Sequence, residues 1–297
     1  MKTTVPSDQG GRFLWPRGSQ ERSVESFYQH GIEAYGDYHG GMLNFGLWKD
    51  GASDYLTASR NLVRHMAQSI VLGPQSRLLD VACGMGAQDV VLAEETECRS
   101  ITGLDVTWKH VMVARERARR ANLDNRLEFQ HGTAIALPFP DLSFTHIICI
   151  EGGEHFNTRE KFLREAFRVL QPGGRIGLAD YTAKRLPRRW PEVTLAELVR
   201  RMWHVPRANV CTSSELARTL ERVGFRDVRI EEAGENTIPG YFEEGRKPAN
   251  VRRMRAIRGF WVTQASLWID YFTYRLFQRG LLEYVFVFAE KPVAFEA

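Results

Sequence analysis

The fold is decided by the stretch Leu78-Leu79-Asp80-Val81-Ala82-Cys83-Gly84-Met85-Gly86. It leads from an apolar strand through two glycines into a helical segment, and glycine at such a turn lets the backbone approach a ligand closely. By itself the glycine pair is equally typical of a plain tight turn. A second signal is Asp105, which ends the next predicted strand about twenty residues later, where an acid can accept both hydroxyls of an adenosine ribose. Together they predict a nucleoside pocket.

Asp80 indicates which kind of nucleoside the pocket would hold. An acid beside the glycine turn would repel the pyrophosphate of a dinucleotide, because like charges at short range repel each other. The same carboxylate would attract the ammonium group of an amino acid. The stretch therefore favours a nucleoside that carries an amino acid.

Short apolar strands alternate with helical segments along the chain, which indicates a mostly parallel sheet covered by helices. Helix starts are predicted at Ser53 or Asp54, at Thr107, at Asn157 or Thr158, and at Ser213 or Ser214, with a shorter helix over 24–35. The fold class is α/β, a Rossmann-like, doubly wound sheet of seven strands with an antiparallel edge strand. Its predicted strands are 77–82, 100–105, 126–131, 145–151, 175–181, 225–232 and 283–290, the last two pairing at one edge.

Composition, net charge and residue spacing argue against several classes of protein. The 297 residues are 43% hydrophobic and 26% charged, as in an ordinary globular protein. A net charge of +4 is too small to indicate a nucleic-acid partner. The four cysteines form no C-x-x-C pair and no histidines have metal-ligand spacing, so we expect no metal and a reduced, cytoplasmic setting. The apolar stretch 260–277 contains Gln264, Asp270 and Arg275, which argues against a membrane span.

Three motifs in this order resemble those of the class I S-adenosylmethionine-dependent methyltransferases: the glycine stretch, Asp105, and Arg168-Val169-Leu170-Gln171-Pro172-Gly173-Gly174. The resemblance runs from about residue 27 to residue 290. It implies S-adenosyl-L-methionine as the cofactor. The binding residues that the resemblance and the local pattern suggest are Tyr28, Tyr38, Asp80, Ala82, Gly84, Gly86, Asp105, Val106, Thr133, Ala134 and Glu151.

The chain departs from the family pattern at two of these positions. Ala82 stands where many members have glycine. Thr133 stands where many members have an acid that accepts a hydrogen bond from the adenine amino group, so Thr133 or the backbone of Ala134 would make that contact. Glu151 is expected either to contact the methionine amine or substrate, or simply to cap the end of its strand.

Within this class the chain looks most like the small-molecule methyltransferases of the sterol, tocopherol and natural-product type. The segment from Phe27-Tyr28 through Tyr38 to Trp48 is similar to one that closes over the cofactor, and Glu151-Gly152-Gly153-Glu154-His155-Phe156 is similar to the loop after the fourth strand. The resemblance implies a hydrophobic acceptor, with O-methylation favoured over C- or N-methylation. The alternatives are a protein that keeps the cofactor as a structural group and binds or cyclises a ligand, and an enzyme like the cyclopropane fatty-acid synthases.

His155 and Asp180 are the candidate catalytic residues. His155 follows a strand end, and its near-neutral pKa suits removal of a hydroxyl proton. Asp180 ends the neighbouring strand and could orient His155, an arrangement that the resemblance also implies. The alternative for His155 is packing against Phe156 at the start of the next helix.

We expect a flexible tail over residues 1–20 and one methyltransferase domain over 21–297. Its parts are a helical cover (21–72), the cofactor-binding core (73–181) and a C-terminal half (182–297) with a helical insertion at 234–280. The insertion carries a basic cluster within 246–258, which is either a solvated face or an attraction for an anionic acceptor. Trp261, Trp268 and Tyr271 are expected to line an acceptor pocket beneath a lid; core packing or contact with a second copy in a homo-oligomer are the alternatives.

Overall fold

In the computed structural model, which describes residues 13–29 and 39–293, seven strands form one sheet. They are β1 (Arg77–Val81), β2 (Ser100–Asp105), β3 (Leu127–His131), β4 (Phe144–Ile150), β5 (Leu170–Ala183), β6 (Arg226–Glu232) and β7 (Leu282–Glu290). Their order is β3-β2-β1-β4-β5-β7-β6, and β7 runs antiparallel to both of its neighbours. The predicted doubly wound sheet and the pairing of the last two strands are confirmed.

Ten helices of the described residues surround the sheet. They are α1 (Gln20–Gln29), α2 (Tyr55–Ser69), α3 (Ala87–Glu95), α4 (Trp108–Arg120), α5 (Arg159–Val169), α6 (Trp190–Met202), α7 (Ser213–Val223), α8 (Ile238–Arg246), α9 (Pro248–Arg258) and α10 (Phe260–Gln278). Asp54 and Thr158 cap α2 and α5 through their side chains, as predicted. Helix α7 is capped by Thr212, one residue before the predicted position, because Thr212 and Glu215 form a reciprocal capping box.

The core lies in two apolar layers, one on each side of the sheet. Alternate residues of β1 enter opposite layers: Leu78 packs in the layer that contains apolar residues of α2, α3 and α4, and Leu79 in the layer that contains those of α5 and α7. Because both faces of a parallel sheet are covered, ligands have access only at the ends of the strands. The site is therefore expected at the carboxyl end of the sheet.

The glycine turn after β1 has a conformation and a packing that require glycine. Gly84 and Gly86 both have positive φ, of 56° and 71°. A Cβ at Gly86 would lie 2.8 Å from the Cβ of Ala114, so this glycine allows α3 and α4 to pack closely. Ala82 also has a positive φ, of 66°, which explains why glycine suits this position.

Residues 13–19 differ from the flexible tail that the sequence suggests. Trp15 is buried, and its indole N–H donates to the carbonyl of Val106 over 3.1 Å. Phe13 stacks on Trp15, and its backbone N–H donates to Nδ1 of His131. Two aromatic anchors thus attach this segment to the core, although the surrounding glycine and proline are typical of loose chain. The remainder of the predicted tail, 1–12, lies outside the described residues.

The insertion between β6 and β7 consists of a short 3-10 turn and helices α8, α9 and α10. It packs on the segment before α2, where the rings of Phe45 and Tyr241 stack at 3.9 Å. It also packs on α6, where the indole of Trp203 donates to Thr273. Within the described residues, no helix has the length and apolar character that crossing a membrane requires.

Candidate active site

A cleft opens at the carboxyl ends of β1, β2 and β4, beneath α1. Sequence-predicted residues from five separate parts of the chain meet in its wall. They are Tyr28, Ala82, Gly84, Asp105, Val106, Thr133, Ala134, Glu151 and His155. Of the other predicted cofactor-binding residues, Asp80 and Gly86 do not line the cleft, and Tyr38 lies outside the described residues.

Asp105 is held ionised at the end of β2. Its carboxylate accepts from the backbone N–H of Thr107 at 2.7 Å and of Gly84 at 3.0 Å, and it contacts Nδ1 of His110 at 3.2 Å. Burial would raise the pKa of Asp105, but His110 and the two backbone donors outweigh it and lower the pKa. The turn thus presents a fixed negative acceptor, which suits a ribose diol.

Asp80 lies behind the cleft wall. Its Oδ2 accepts from the side-chain amide of Gln88 at 2.5 Å, and Gln88 itself lines the cleft. Burial raises the pKa of Asp80 to about 7. Gln88 therefore stands between Asp80 and the cleft, and the direct attraction of Asp80 for an ammonium group stays a prediction.

Several buried polar atoms of the cleft wall have no hydrogen-bond partner among the described residues, and a polar ligand would supply partners for them. They are Asn44 Nδ2, Thr107 Oγ1, His110 Nε2 and His155 Nδ1. The amide of Asn44 can donate, whereas the hydroxyl of Thr107 and the ring nitrogens of His110 and His155 can donate or accept. These atoms lie along the cleft wall from Asp105 to the loop after β4. This donor and acceptor set fits an amino-acid nucleoside such as S-adenosylmethionine. The described residues contain no cluster of three potential metal ligands.

Glu151 is a half-buried carboxyl group directly after β4. It accepts from the backbone N–H of Phe45 at 2.7 Å, from the hydroxyl of Tyr284 at 2.7 Å and from that of Tyr181 at 3.2 Å. Burial raises the pKa of Glu151 to about 8. Glu151 therefore ties the segment before α2 to the sheet while one of its surfaces faces the cleft.

His155 is buried in the 3-10 turn after β4, and its ring faces the same cleft. Its Nε2 lies 3.0 Å from the hydroxyl of Tyr28 on α1, and its backbone carbonyl accepts from the side chain of Gln20. Burial lowers the pKa of His155 to about 4, so the imidazole is neutral at physiological pH. A neutral imidazole with an unpartnered ring nitrogen is equipped to accept a proton.

Comparison with known proteins agrees with this geometry. A family described as a methyltransferase domain matches residues 79–178. Erythromycin 3''-O-methyltransferase of Saccharopolyspora erythraea is 30% identical over 220 residues, which cover 71% of this chain and 72% of that relative. The chain belongs to the S-adenosylmethionine-dependent methyltransferases.

Other known proteins resemble the methyltransferase over more of its length. The 27-O-demethylrifamycin SV methyltransferase of Amycolatopsis mediterranei is 28% identical over 269 residues, covering 88% of this chain and 96% of that one. The solved structure of the [4+2]-cyclase SpnF matches with a TM-score of 0.71 and 25% identity, over 94% of this chain and 99% of that chain. The similarity therefore includes the helical insertion as well as the cofactor-binding core.

Asp180 of the methyltransferase has a different partner from the predicted one. Its carboxylate bonds to the guanidinium of Arg159, at the start of α5, and to the backbone N–H of Tyr181. Among the described residues it makes no hydrogen bond to His155. This corrects the predicted pairing: an arginine satisfies a buried carboxylate through two parallel bonds, which a single imidazole cannot match.

Asn209 connects this ion pair to the loop that carries His155. Its side chain accepts from the backbone N–H of Arg159 at 3.0 Å and donates to the carbonyls of Glu154 at 2.9 Å and Phe156 at 2.6 Å. Gly153 packs so tightly against Asp180 that a Cβ there would lie 2.5 Å from Oδ2. Asp180 is thus a positioning residue for the loop.

The aromatic residues predicted to line the acceptor pocket lie on the outer surface of α10. Trp261 is 81% exposed, Trp268 is 56% exposed and Tyr271 is 36% exposed. None of them lines the cofactor cleft. In the basic cluster, Arg246 lies over the ring of Phe242 and Arg255 lies over that of Phe260.

Several residues of the site were not found from the sequence. Gln20, Glu21 and Val24 line the cleft from α1, and His110 lines it beside Asp105. The only local signal for His110 is its place five residues after Asp105, in the first turn of α4. Gln20, Glu21 and Val24 gave no signal, unlike Tyr28 on the same helix, because an ordinary amphipathic helix does not reveal what it covers.

Proposed function

We propose that this methyltransferase methylates a hydroxyl group of a hydrophobic natural product. The observation that carries the proposal is His155: its neutral, buried imidazole lines the cleft, and Nδ1 of the ring has no hydrogen-bond partner among the described residues. A hydroxyl acceptor must lose a proton when it is methylated, and this histidine is placed to receive it. The names of the erythromycin and rifamycin relatives support a natural-product acceptor.

The cofactor is proposed to lie along the cleft with its ribose on Asp105. In that orientation Thr133 and the backbone of Ala134 meet the base, and Gln88, Asn44 and Glu151 meet the amino-acid part. All of these residues line the cleft. When bound, S-adenosylmethionine supplies an electrophilic methyl group on a sulfonium. The chain's own contribution is to align the acceptor oxygen for in-line displacement, which supplies much of the rate.

His155 is proposed to act as the general base. As the acceptor oxygen forms its bond to carbon, the hydroxyl proton passes to Nδ1 of His155, the nitrogen without a partner among the described residues. Tyr28, whose hydroxyl contacts Nε2, orients the ring, and in the tautomer that the scheme requires Nε2–H donates to that hydroxyl so that Nδ1 is free to accept. Asp180 and Arg159 hold the loop beneath it. In this scheme Tyr28 and Asp180 are positioning residues, and only His155 touches the reacting hydroxyl.

The test is methyl transfer to a panel of hydroxyl-bearing polyketides and macrolides. The full chain is incubated with S-adenosylmethionine, and both S-adenosylhomocysteine and the methylated product are measured by mass spectrometry. We expect both to form in equal amounts with at least one hydroxyl acceptor. Formation of methylated products exclusively from amine or carbon acceptors would contradict O-methylation while leaving the cofactor assignment intact.

The similarity to the cyclase SpnF raises one alternative, a protein that keeps the cofactor without consuming it. Tight cofactor binding combined with ligand turnover and no S-adenosylhomocysteine would support that alternative. The arrangement of side chains around His155 favours methyl transfer, because a retained structural cofactor requires no general base beside it.

We also propose a cytoplasmic location. All four cysteines are free, and Cys83, Cys98 and Cys149 are buried as thiols. Free cysteines without disulfide bonds are typical of proteins in a reducing compartment. Association with a second copy is proposed to involve the exposed aromatic side of α10, and sedimentation of the full chain tests it.

A further inference from the structure

A second cavity, of about 130 Å³, lies between α6, α10 and the end of β5. It is distinct from the cofactor cleft, since no residue lines both. Its walls are mainly apolar, with Phe45, Val199, Trp203, Leu276 and Leu281 among them. A cavity with such walls is typical of a site for a hydrophobic small molecule.

The cavity and the cofactor cleft share one wall. Asn44 and His155 line the cleft, and their chain neighbours Phe45 and Glu154 line the cavity. The 3-10 turn at Gly153–His155 therefore presents one side chain to each space. A molecule held in the cavity would lie directly behind the residue proposed as the base.

Glu154 is the carboxylate in this wall that lacks a partner. It is 6% exposed, and its Oε2 has no hydrogen-bond partner among the described residues. Its Oε1 lies 3.8 Å from Nε2 of His155, too far for a hydrogen bond. A buried carboxyl group without a partner is costly, so its presence in an apolar cavity points to a ligand group that it binds.

The other charges around the cavity are already paired. The guanidinium of Arg159 binds Asp180, that of Arg185 binds Glu192 and that of Arg200 binds Glu197. Of the described acidic and basic residues that line the cavity, Glu154 is therefore the one without a counter-charge. Burial raises the pKa of Glu154 well above its usual range, because a buried carboxylate without a counter-charge is costly.

We propose that this cavity, behind the His155 loop, is a second ligand site and that it takes a hydrophobic molecule with a basic amine, whose ammonium group pairs with Glu154. The inference goes beyond the proposed function, because the cavity is separate from the cleft in which methyl transfer is proposed. An ammonium pairs with the carboxylate and removes the cost of its burial. A neutral hydroxyl would make one ordinary hydrogen bond, and a carboxylate would find no free counter-charge, because the arginines of the wall are already paired.

The test is binding of three probes with equal chain length: decylamine, decan-1-ol and decanoate. Calorimetry uses the full chain saturated with S-adenosylhomocysteine at neutral pH. We expect decylamine to bind about 10-fold or more tightly than decan-1-ol, with decanoate weakest. The variant E154Q should bind the alcohol as before and lose the preference for the amine, whereas E154D should keep it.

A cavity-filling variant tests the location independently of Glu154. Val199 is a buried lining residue on α6, and V199W should abolish binding of all three probes. Its neighbour Leu198 is 42% exposed, so L198W serves as the matched control and should bind them normally. S-adenosylhomocysteine affinity should be unchanged in all four variants.

Several results would overturn the proposal, namely equal binding of amine and alcohol by the natural chain, an amine preference that survives in E154Q, or undiminished probe binding by V199W. Absence of any probe binding would overturn it as well. Failure of the proposed function looks different, because it would appear as absent S-adenosylhomocysteine binding or absent methyl transfer in the natural chain.

Discussion

The carboxylate of Asp180 is held by the guanidinium of Arg159 through two hydrogen bonds, of 2.7 and 2.9 Å, in a part of the molecule where both side chains are buried. The pairing raises the pKa of Arg159 despite its burial, so the arginine is charged. Together with Asn209, it fixes the loop that presents Glu154 to one space and His155 to the other. Asp180 thus affects the proposed methyl transfer indirectly, by holding in place the loop that carries His155.

Replacing Asp180 by asparagine should destabilise the protein by about 3–5 kcal/mol, because Arg159 is left buried without its counter-charge. Urea unfolding measures this change in the free energy of unfolding. The matched control is D141N, since Asp141 pairs with Arg168 at the surface, and its cost should stay below about 1 kcal/mol. The double variant D180L/R159M should recover much of the lost stability; a double variant as unstable as D180N would contradict the account.

The variant D105A should weaken S-adenosylmethionine binding by about 1–3 kcal/mol, because charge-assisted hydrogen bonds to the ribose hydroxyls are lost. Isothermal titration calorimetry measures the affinity. Circular dichroism establishes that the variant is folded, which matters because Asp105 also accepts from Gly84 and Thr107. Unchanged affinity in a folded variant would place the ribose elsewhere.

The variant H155A should lower turnover by about 10²–10⁴-fold while cofactor affinity stays near that of the natural chain. Y28F should cost about 10-fold at most, since it removes one hydrogen bond to the ring. Steady-state kinetics with a hydroxyl acceptor gives both values. The control is H65A: His65 pairs with Glu231 and does not line the cleft. Normal turnover by H155A at every pH would mean that catalysis rests on alignment alone.

The pH dependence of turnover follows from the lowered pKa of His155, which burial brings to about 4. A general base works in its deprotonated form, so the rate should stay level from neutral pH down to about pH 5 and fall near pH 4. A pH–rate profile of kcat/KM measures this. A fall centred near 6.5, the ordinary value for histidine, would show that the ring is more solvated than the structure indicates.

Glu151 should make stability fall as pH rises. Burial raises its folded pKa to about 8 from a usual value of 4.5, so between these values the folded state holds a proton that the unfolded state has released. The Glu151 contribution therefore declines with increasing pH, by at most about 1.4 kcal/mol per pH unit. The free energy of unfolding of E151Q, relative to the natural chain, should increase from pH 5 to pH 8. A pH-independent difference would contradict the raised pKa.

The sequence alone was sufficient to predict the sheet and the edge of the sheet at which the cleft opens. Apolar strand segments, capping residues such as Asp54 and Thr158, and the glycine turn are local features, and local geometry depends on neighbours within a few residues. Asp105 and His155 could be placed together because each follows the end of a parallel strand, and those ends meet at one edge of the sheet.

The contacts on which the proposed chemistry of these residues depends could be found only in the tertiary structure. Tyr28 and His155 are 127 positions apart in the chain, and no local pattern states that α1 folds over the loop after β4. The sequence suggested His155 as the partner of Asp180, but the packing of α5 gave it Arg159. Helix α10 is apolar on more than one face, so its sequence could not show that Thr273 and Leu276 line the cavity while Trp261 faces outward. Periodicity reports which residues share a face, whereas the partner of that face is set by the packing of distant segments.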